Sequence, residues 1–415
     1  MAKIVFTKYK SDSVLSKEFT LKNGEIVNNA AANMANGSAE QLSMDMEGFA
    51  ELLPTLQGNE ALGFGIHDAE RYGDCVGIRT KSNAQHDQGI LARATAYFKY
   101  ANAPGMMMLD HDPSGEHSID PERLMAYLMT ICPQLKKVGY VARGSVSAGV
   151  HKTGQKPSHS KGFHIYIGVN RADDIPRIGA VLFNSIWLLG LGYIIISSAG
   201  TMLLRTPIDA AVFSPERLDF AGKPVLKSDG LEYTPPEVVH HPGQLLDTSQ
   251  IVDLTDAEIA EVERLQTEAK RAMADEAADI RAGWELAQRT KLEERGVTPD
   301  QIEAAMSRLG SERSDLSPDW VLEFSDGRTA TVREVLENGL AFDGVTLADP
   351  IEGSEYGAEV AKFYWNNGRK SVVHSFAHGS KHVYFLKTDY RIPEDWELDL
   401  SVMVDEFNDE YALSM

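Results

Sequence analysis

Asp110 and Asp112 stand one residue apart where the apolar run Met106-Met107-Met108-Leu109 gives way to Asp110-His111-Asp112-Pro113. The run follows Pro104-Gly105 and reads as a buried strand whose last side chains emerge at a sheet edge. Side chains alternate along a strand, so both carboxylates face the same way, and Pro113 ends the strand. Two carboxylates held so close repel unless a cation lies between them. The chemistry on offer is divalent-metal binding; taken alone, the pair reads equally as two solvated acids.

Two more groups bear on that choice. His164 lies near the start of Gly162-Phe163-His164-Ile165-Tyr166-Ile167-Gly168-Val169, where Phe163, Ile165 and Ile167 share one strand face and His164 and Tyr166 the other. A lone strand histidine reads as structural. Its lead-in, Ser160-Lys161-Gly162, adds a hydroxyl, an ammonium and a close backbone approach, which a triphosphate needs. Asp209 follows an apolar strand, Met202–Arg205, and Thr206-Pro207-Ile208; alone it is a turn aspartate. Together they form a set, because two-metal phosphoryl transfer requires carboxylates holding cations roughly 3.5–4 Å apart. A histidine and a lysine on the triphosphate would neutralise charge that builds on the leaving group.

The elements that must position these residues alternate between strands and helices. Strands are expected at Lys3–Lys8, at Glu18–Leu21 and Glu25–Val27 around an Asn23-Gly24 hairpin turn, at Ala61–Ile66 and at Val76–Thr80. Asn28–Ser38 reads as loop, Ser43–Leu56 as a short helix and Gly89–Tyr100 as an amphipathic helix. After the diacid strand the pattern predicts a helix at Pro121–Leu135, a strand at Gly139–Ser147, a flexible loop at Gly149–Lys161, a helix at Ile175–Leu191 and strands at Tyr193–Ser197 and Met202–Arg205. Pro235–Gly243 reads as a linker, and Leu254–Lys291 and Pro299–Leu309, the latter capped by Thr298, as helices. A small α+β region follows from Trp320.

Composition narrows the class. With 415 residues and 43% hydrophobic content, the chain has room for two or three globular domains. The N-terminal residues lack the apolar run of a signal peptide and no apolar stretch suits a bilayer span, so a cytoplasmic protein without a membrane partner is expected. Only Cys75 and Cys132 occur, far apart, which excludes a disulfide framework and a Cys-rich zinc module. A net charge of −21 argues against indiscriminate duplex binding. Yet Arg123 through Ala172 holds no acid, where 61 acids in 415 residues would place about seven. That stretch carries Lys136, Lys137, Arg143, Lys152, Lys156, Lys161 and Arg171, suited to polyphosphate or a nucleic-acid backbone.

The order Asp110-x-Asp112, then Ser160-Lys161-Gly162-Phe163-His164, then strand-borne Asp209 resembles the three motifs of the archaeo-eukaryotic primase (primase-polymerase) superfamily, especially its phage and mobile-element versions, over about residues 1–230. The resemblance implies an α+β catalytic core, a sheet like that of RNA-recognition motifs beside a second α/β unit. It makes Asp110, Asp112 and Asp209 the catalytic ligands of two Mg²⁺ or Mn²⁺ ions. Ser160, Lys161 and His164 would contact nucleotide phosphates, with Arg205 and Arg217 as weaker candidates. Many relatives carry a zinc-binding insertion; none is expected here. A looser resemblance links Asp349-Pro350-Ile351-Glu352, Tyr356-Gly357 and His374-Ser375-Phe376-Ala377-His378-Gly379 to the segment joining such primases to a hexameric helicase, and Val404–Ala412 to that helicase's start. No Gly-x-x-x-x-Gly-Lys-Ser/Thr occurs.

The expected organisation is a catalytic domain at 1–245, a helical accessory segment at 250–312 and a small α+β domain at 318–415. The expected activity is DNA-directed priming, or primase-polymerase activity, from nucleoside triphosphates on single-stranded DNA, with a replicative helicase as partner. The alternatives are a non-catalytic replication initiator or origin-binding protein that keeps the fold and reads DNA with residues 254–309, and another two-metal enzyme such as a nuclease.

Overall fold

Ile4, Phe6 and Tyr9 are buried on β1 (Ile4–Ser11), the strand that opens a computed structural model describing residues 2–30, 34–80, 83–112, 117–157, 162–309, 314–365, 370–379 and 382–389. The described residues divide into two units: those up to Tyr193 with Arg205–Gln266, and Ile194–Leu204 with those from Thr267 onward. Both mix helices and sheets, so the fold is α+β, as the element order predicts.

In the first unit β1 is followed by the hairpin β2 (Lys17–Lys22) and β3 (Glu25–Ala30). Its turn is the expected Asn23-Gly24, with φ of 51° and 80°, the left-handed pair that a two-residue hairpin requires. Then come β4 (Asn36–Met44), α1 (Met46–Leu52), β5 (Glu60–Gly63), α2 (Ala69–Tyr72), β6 (Cys75–Arg79) and β7 (Ile90–Ala92). Five of these strands form a sheet in the order β5-β1-β4-β6-β7.

The expected helix at Gly89–Tyr100 is not formed. Ile90–Ala92 instead pairs in parallel with β6, and only a single turn follows, closed by Tyr97 and Phe98 amides on Ala94. The apolar spacing of Ile90, Leu91, Ala94 and Phe98 suits a helix, but pairing with β6 buries Leu91 completely, and Phe98 is buried beyond the strand against Tyr9 and His67.

The second sheet carries the diacid strand. Its elements are β8 (Gly105–His111), α3 (Pro121–Ile131), β9 (Tyr140–Gly144), β10 (Val150–Lys152), β11 (Phe163–Val169) and α4 (Ile175–Leu188). The hairpin β12 (Tyr193–Ile196) and β13 (Met202–Arg205), a separate two-stranded sheet most of which belongs to the second unit, comes next in the chain, then β14 (Val225–Leu226), β15 (Leu231–Tyr233) and β16 (Val238–His241) of the first unit. The sheet order is β16-β9-β11-β8, antiparallel throughout. Met107, Leu109, Phe163, Ile165 and Ile167 pack against α3 and α4 on one face. Met106, Met108, Val141 and Tyr166 face Ile4, Phe6 and Phe49 on the other. Both faces are covered, which explains an unbroken apolar run rather than an alternating one. Gly105 begins β8 because a Cβ there would lie 2.7 Å from Ala172 Cβ.

α3 is capped by Asp120, whose side chain accepts from the Arg123 amide. It stops at Ile131 rather than Leu135, since Pro133 cannot continue it, and a 3₁₀ turn completes the segment. α4 buries Ile178, Leu182 and Ile186, one helical face worth about 1.5–3 kcal/mol per side chain. Three stretches expected as loop or linker hold strand residues: Asn28–Ser38 contains the end of β3 and the start of β4, Val150–Lys152 pairs with β15, and Val238–His241, read as linker, pairs with β9 as the sheet's edge. The β-branched Val238 and Val239 outweigh the flanking prolines.

α5 (Asp256–Ala272) contains the unit boundary. The second unit continues with α6 (Ala274–Glu294) and α7 (Pro299–Ser307), the latter starting at the expected Thr298 with a capping box to Gln301. It then has β17 (Ser314–Leu316), β18 (Val321–Glu323), β19 (Thr329–Thr331), α8 (Val332–Glu337), α9 (Gly339–Phe342), β20 (Thr346–Leu347), β21 (Ala361–Tyr364), β22 (Val372–Ser375) and β23 (His382–Leu386). Its sheet runs β17-β23-β22-β21-β20 around a core that includes Trp320, Phe324 and Phe363. Among the described residues no helix is long and apolar enough to cross a membrane.

Candidate functional site

One row of side chains crosses the second sheet. The antiparallel register sets Asp110 of β8 opposite His164 of β11, and His164 opposite Arg143 of β9. All three share the face that carries Met106, Met108 and Tyr166, at the end where the apolar cover gives out.

His164 lies between two carboxylates. Its Nε2 is 3.3 Å from Asp110 Oδ1 and its Nδ1 is 3.1 Å from Asp219 Oδ1. Burial favours the neutral ring, but Asp110 and Asp219 reverse this and push its pKa up to about 10, so the imidazole is a cation at neutral pH. Asp219 is fully buried at its side chain, and its Oδ2 accepts a 2.7 Å hydrogen bond from the Tyr166 hydroxyl. Burial, then Asp219, hold that phenol well above its ordinary range, so it stays protonated. The Asp219 backbone is fixed by a two-way bridge to Leu62 of β5.

Asp110 is largely buried. Burial works against its ionisation, yet the His164 cation, with Lys17 and Arg217, holds its carboxyl below the ordinary value. Asp112 follows β8 and reaches solvent. Partial desolvation first, then the fields of Asp110 and Asp209, push its carboxyl above the usual range.

Asp209 is brought to this pair by the backbone. Its amide donates to the Asp110 carbonyl at 2.9 Å, and its side chain accepts from the Ala211 amide at 3.0 Å, capping a 3₁₀ turn at Ala210–Val212. His111, the buried last residue of β8 between Asp110 and Asp112 in sequence, donates from Nδ1 to the Pro207 carbonyl at 2.9 Å. Strand β8 therefore grips the Thr206–Asp209 turn twice, through adjacent residues.

Arg217 acts on Asp110 electrostatically, and Arg205 and Asp112 both act on Tyr193, which stacks on His117 at 3.9 Å. Ser160 and Lys161 lie outside the described residues, as do Pro113 and Val404–Ala412. Of the acid-free basic segment, Arg143 turns inward to donate to the Ala221 carbonyl, and Arg171 pairs with Asp173 at 2.8 Å. Three contributors were missed in the sequence. Asp219 lies two residues after Arg217 with no local signal of its own, and His111 lies between Asp110 and Asp112 on the opposite strand face. Lys17 stands at a strand start with no local signal at all.

The donor set suits a hard divalent cation. Asp110 Oδ1 is buried with the His164 contact but no hydrogen bond of good geometry, and Asp112 is strained by like charge; an oxygen-seeking cation would answer both. Among the described residues no three His, Cys, Asp or Glu side chains close into a finished metal shell. No known protein family, curated protein or solved structure matches the chain.

Proposed function

We propose that the first unit is the catalytic core of a primase or primase-polymerase of the archaeo-eukaryotic kind, a nucleotidyltransferase that starts strands on single-stranded DNA from nucleoside triphosphates. The observation that carries this reading is the meeting of three distant motifs on one strand end: Asp110 faces His164 across β8 and β11, and Asp209 is bonded to the Asp110 carbonyl.

In this reading Asp110, Asp112 and Asp209 hold two Mg²⁺ or Mn²⁺ ions. When bound, such ions acidify an attacking 3′-hydroxyl and neutralise the leaving pyrophosphate. The chain's own cations do the rest. His164, held charged by its two carboxylates, offers a fixed positive edge to a triphosphate. Arg217 and Lys17, which act on Asp110, extend that positive field, and Ser160, Lys161 and Arg205 complete the nucleotide contacts. A replicative helicase is the partner proposed for the C-terminal residues, in a bacterial host's cytoplasm.

The test is a primer-free assay with single-stranded DNA, labelled nucleoside triphosphates and Mn²⁺, run beside an Asp110→Ala/Asp112→Ala double variant. Short products from the wild type alone are expected. No product from either protein on varied templates overturns the reading, and nucleotide-independent, salt-sensitive binding to one duplex sequence would then favour an initiator.

A further inference from the structure

We propose that Asp219 is the positioning residue of His164: it fixes the ring so that Nε2 points at Asp110, and acts on catalysis only through that ring. The proposal rests on the function proposed above and deepens its site. Asp219 has no solvent contact at its side chain, and among the described residues His164 is the only basic side chain in ion-pair range of it. A carboxylate buried so completely is tolerated only when paired and hydrogen-bonded, and here the partners are His164 and Tyr166.

The ring has two nitrogens and two carboxylates to satisfy. With Nδ1 engaged by Asp219 at 3.1 Å, Nε2 is left 3.3 Å from Asp110. The Tyr166 hydroxyl accepts from Nδ1 at 3.2 Å and donates to Asp219 Oδ2 at 2.7 Å, so it ties the ring to the carboxylate, while Asp219 Oδ1 faces Nδ1 at 3.1 Å as an ion pair rather than a well-formed hydrogen bond. Tyr166 is itself wedged edge-on against Phe49, with ring centroids 5.0 Å apart. The chain thus runs from the apolar core through a phenol and a carboxylate to the imidazole. Without Asp219, rotation of the ring would expose Nδ1 to Asp110 and remove the defined direction of the Nε2 proton.

The simplest rival role for Asp219 is structural, since it also bridges Leu62. The two roles differ in what depends on His164. Steady-state priming should be measured for Asp219→Asn, which keeps the shape and a partner for Tyr166, for His164→Ala and for the combination, with melting temperature and single-stranded DNA affinity recorded for each. Asp219→Asn should fold, bind DNA as the wild type does and lose roughly 10–100-fold in kcat. The double variant should be no slower than His164→Ala alone. A second readout needs no turnover: in the metal-free wild type the Nδ1 proton of His164 should resonate far downfield, and in Asp219→Asn it should move upfield or vanish.

Wild-type kcat in Asp219→Asn, losses that multiply in the double variant, or a downfield proton that ignores the substitution would each overturn the proposal. If the wild type makes no primer, the functional reading fails, while the proton resonance still decides whether Asp219 orients the ring.

Discussion

At the scale of single residues, the surroundings of Asp112 disfavour its ionised form, and a bound cation would relieve this. Its carboxyl is raised by desolvation and by Asp110 and Asp209, so ionising it in the folded, metal-free protein costs stability. Asp112→Asn should therefore raise the melting temperature of the metal-free protein at neutral pH and, on the proposed function, abolish priming and remove the stabilisation expected of Mg²⁺ in the wild type. Thermal melts with and without the cation check this, and a variant that melts lower than wild type in chelator would contradict it. His111 makes the opposite trade. It is buried, and its hydrogen bond to Pro207 holds the turn bearing Asp209. His111→Ala should cost about 1–3 kcal/mol in urea denaturation and lower activity with it. The acids and His164 were legible in the sequence because strand period and flanking residues single them out. Asp219 and Lys17 were not, because what brings Asp219 to His164 and Lys17 towards Asp110 is tertiary: a bridge to Leu62 in one case and the β2 hairpin in the other.

At the scale of elements, β8 works because it is buried on both faces and closely seated. Gly105 admits Ala172 at a distance no Cβ tolerates, so Gly105→Val should displace the strand's start and destabilise the first unit by about 1–3 kcal/mol. Priming should fall further than stability alone accounts for, since the Asp110–His164 register is carried by the same strand; equilibrium unfolding and kcat measured together decide. The apolar run of β8 and the alternation of β11 could be read directly, as could the Asn23-Gly24 turn and the Thr298 cap, because each is a local preference that the fold keeps. Gly89–Tyr100 and Pro235–Gly243 could not. Their strands exist only because β6 and β9 offer free edges, a fact with no local trace.

At the scale of the whole molecule, two units with separate cores share one chain, and the second has its own buried polar centre. Glu352 accepts from the Ser198 hydroxyl at 3.1 Å and pairs with His378 Nε2 at 2.9 Å, next to Asp349, which takes hydrogen bonds from Tyr384 and Ser375. Burial favours a protonated Glu352, but His378 and the hydroxyls of Ser197 and Ser198 hold its carboxyl below the ordinary value of 4.5. A carboxyl lowered by folding contributes stability that is fully present above the unfolded value and is lost as pH falls through the folded one. Glu352→Gln should therefore destabilise the second unit by about 1–3 kcal/mol at neutral pH, with the gap from wild type closing in acid. Trp284 and Trp320, 6.2 Å apart in that unit, give a fluorescence signal for the transition. Equal stability of the two proteins at neutral pH would mean that His378 and the serines give the carboxylate nothing that an amide cannot. A gap that persists into acid would mean that the lost contribution is shape rather than charge.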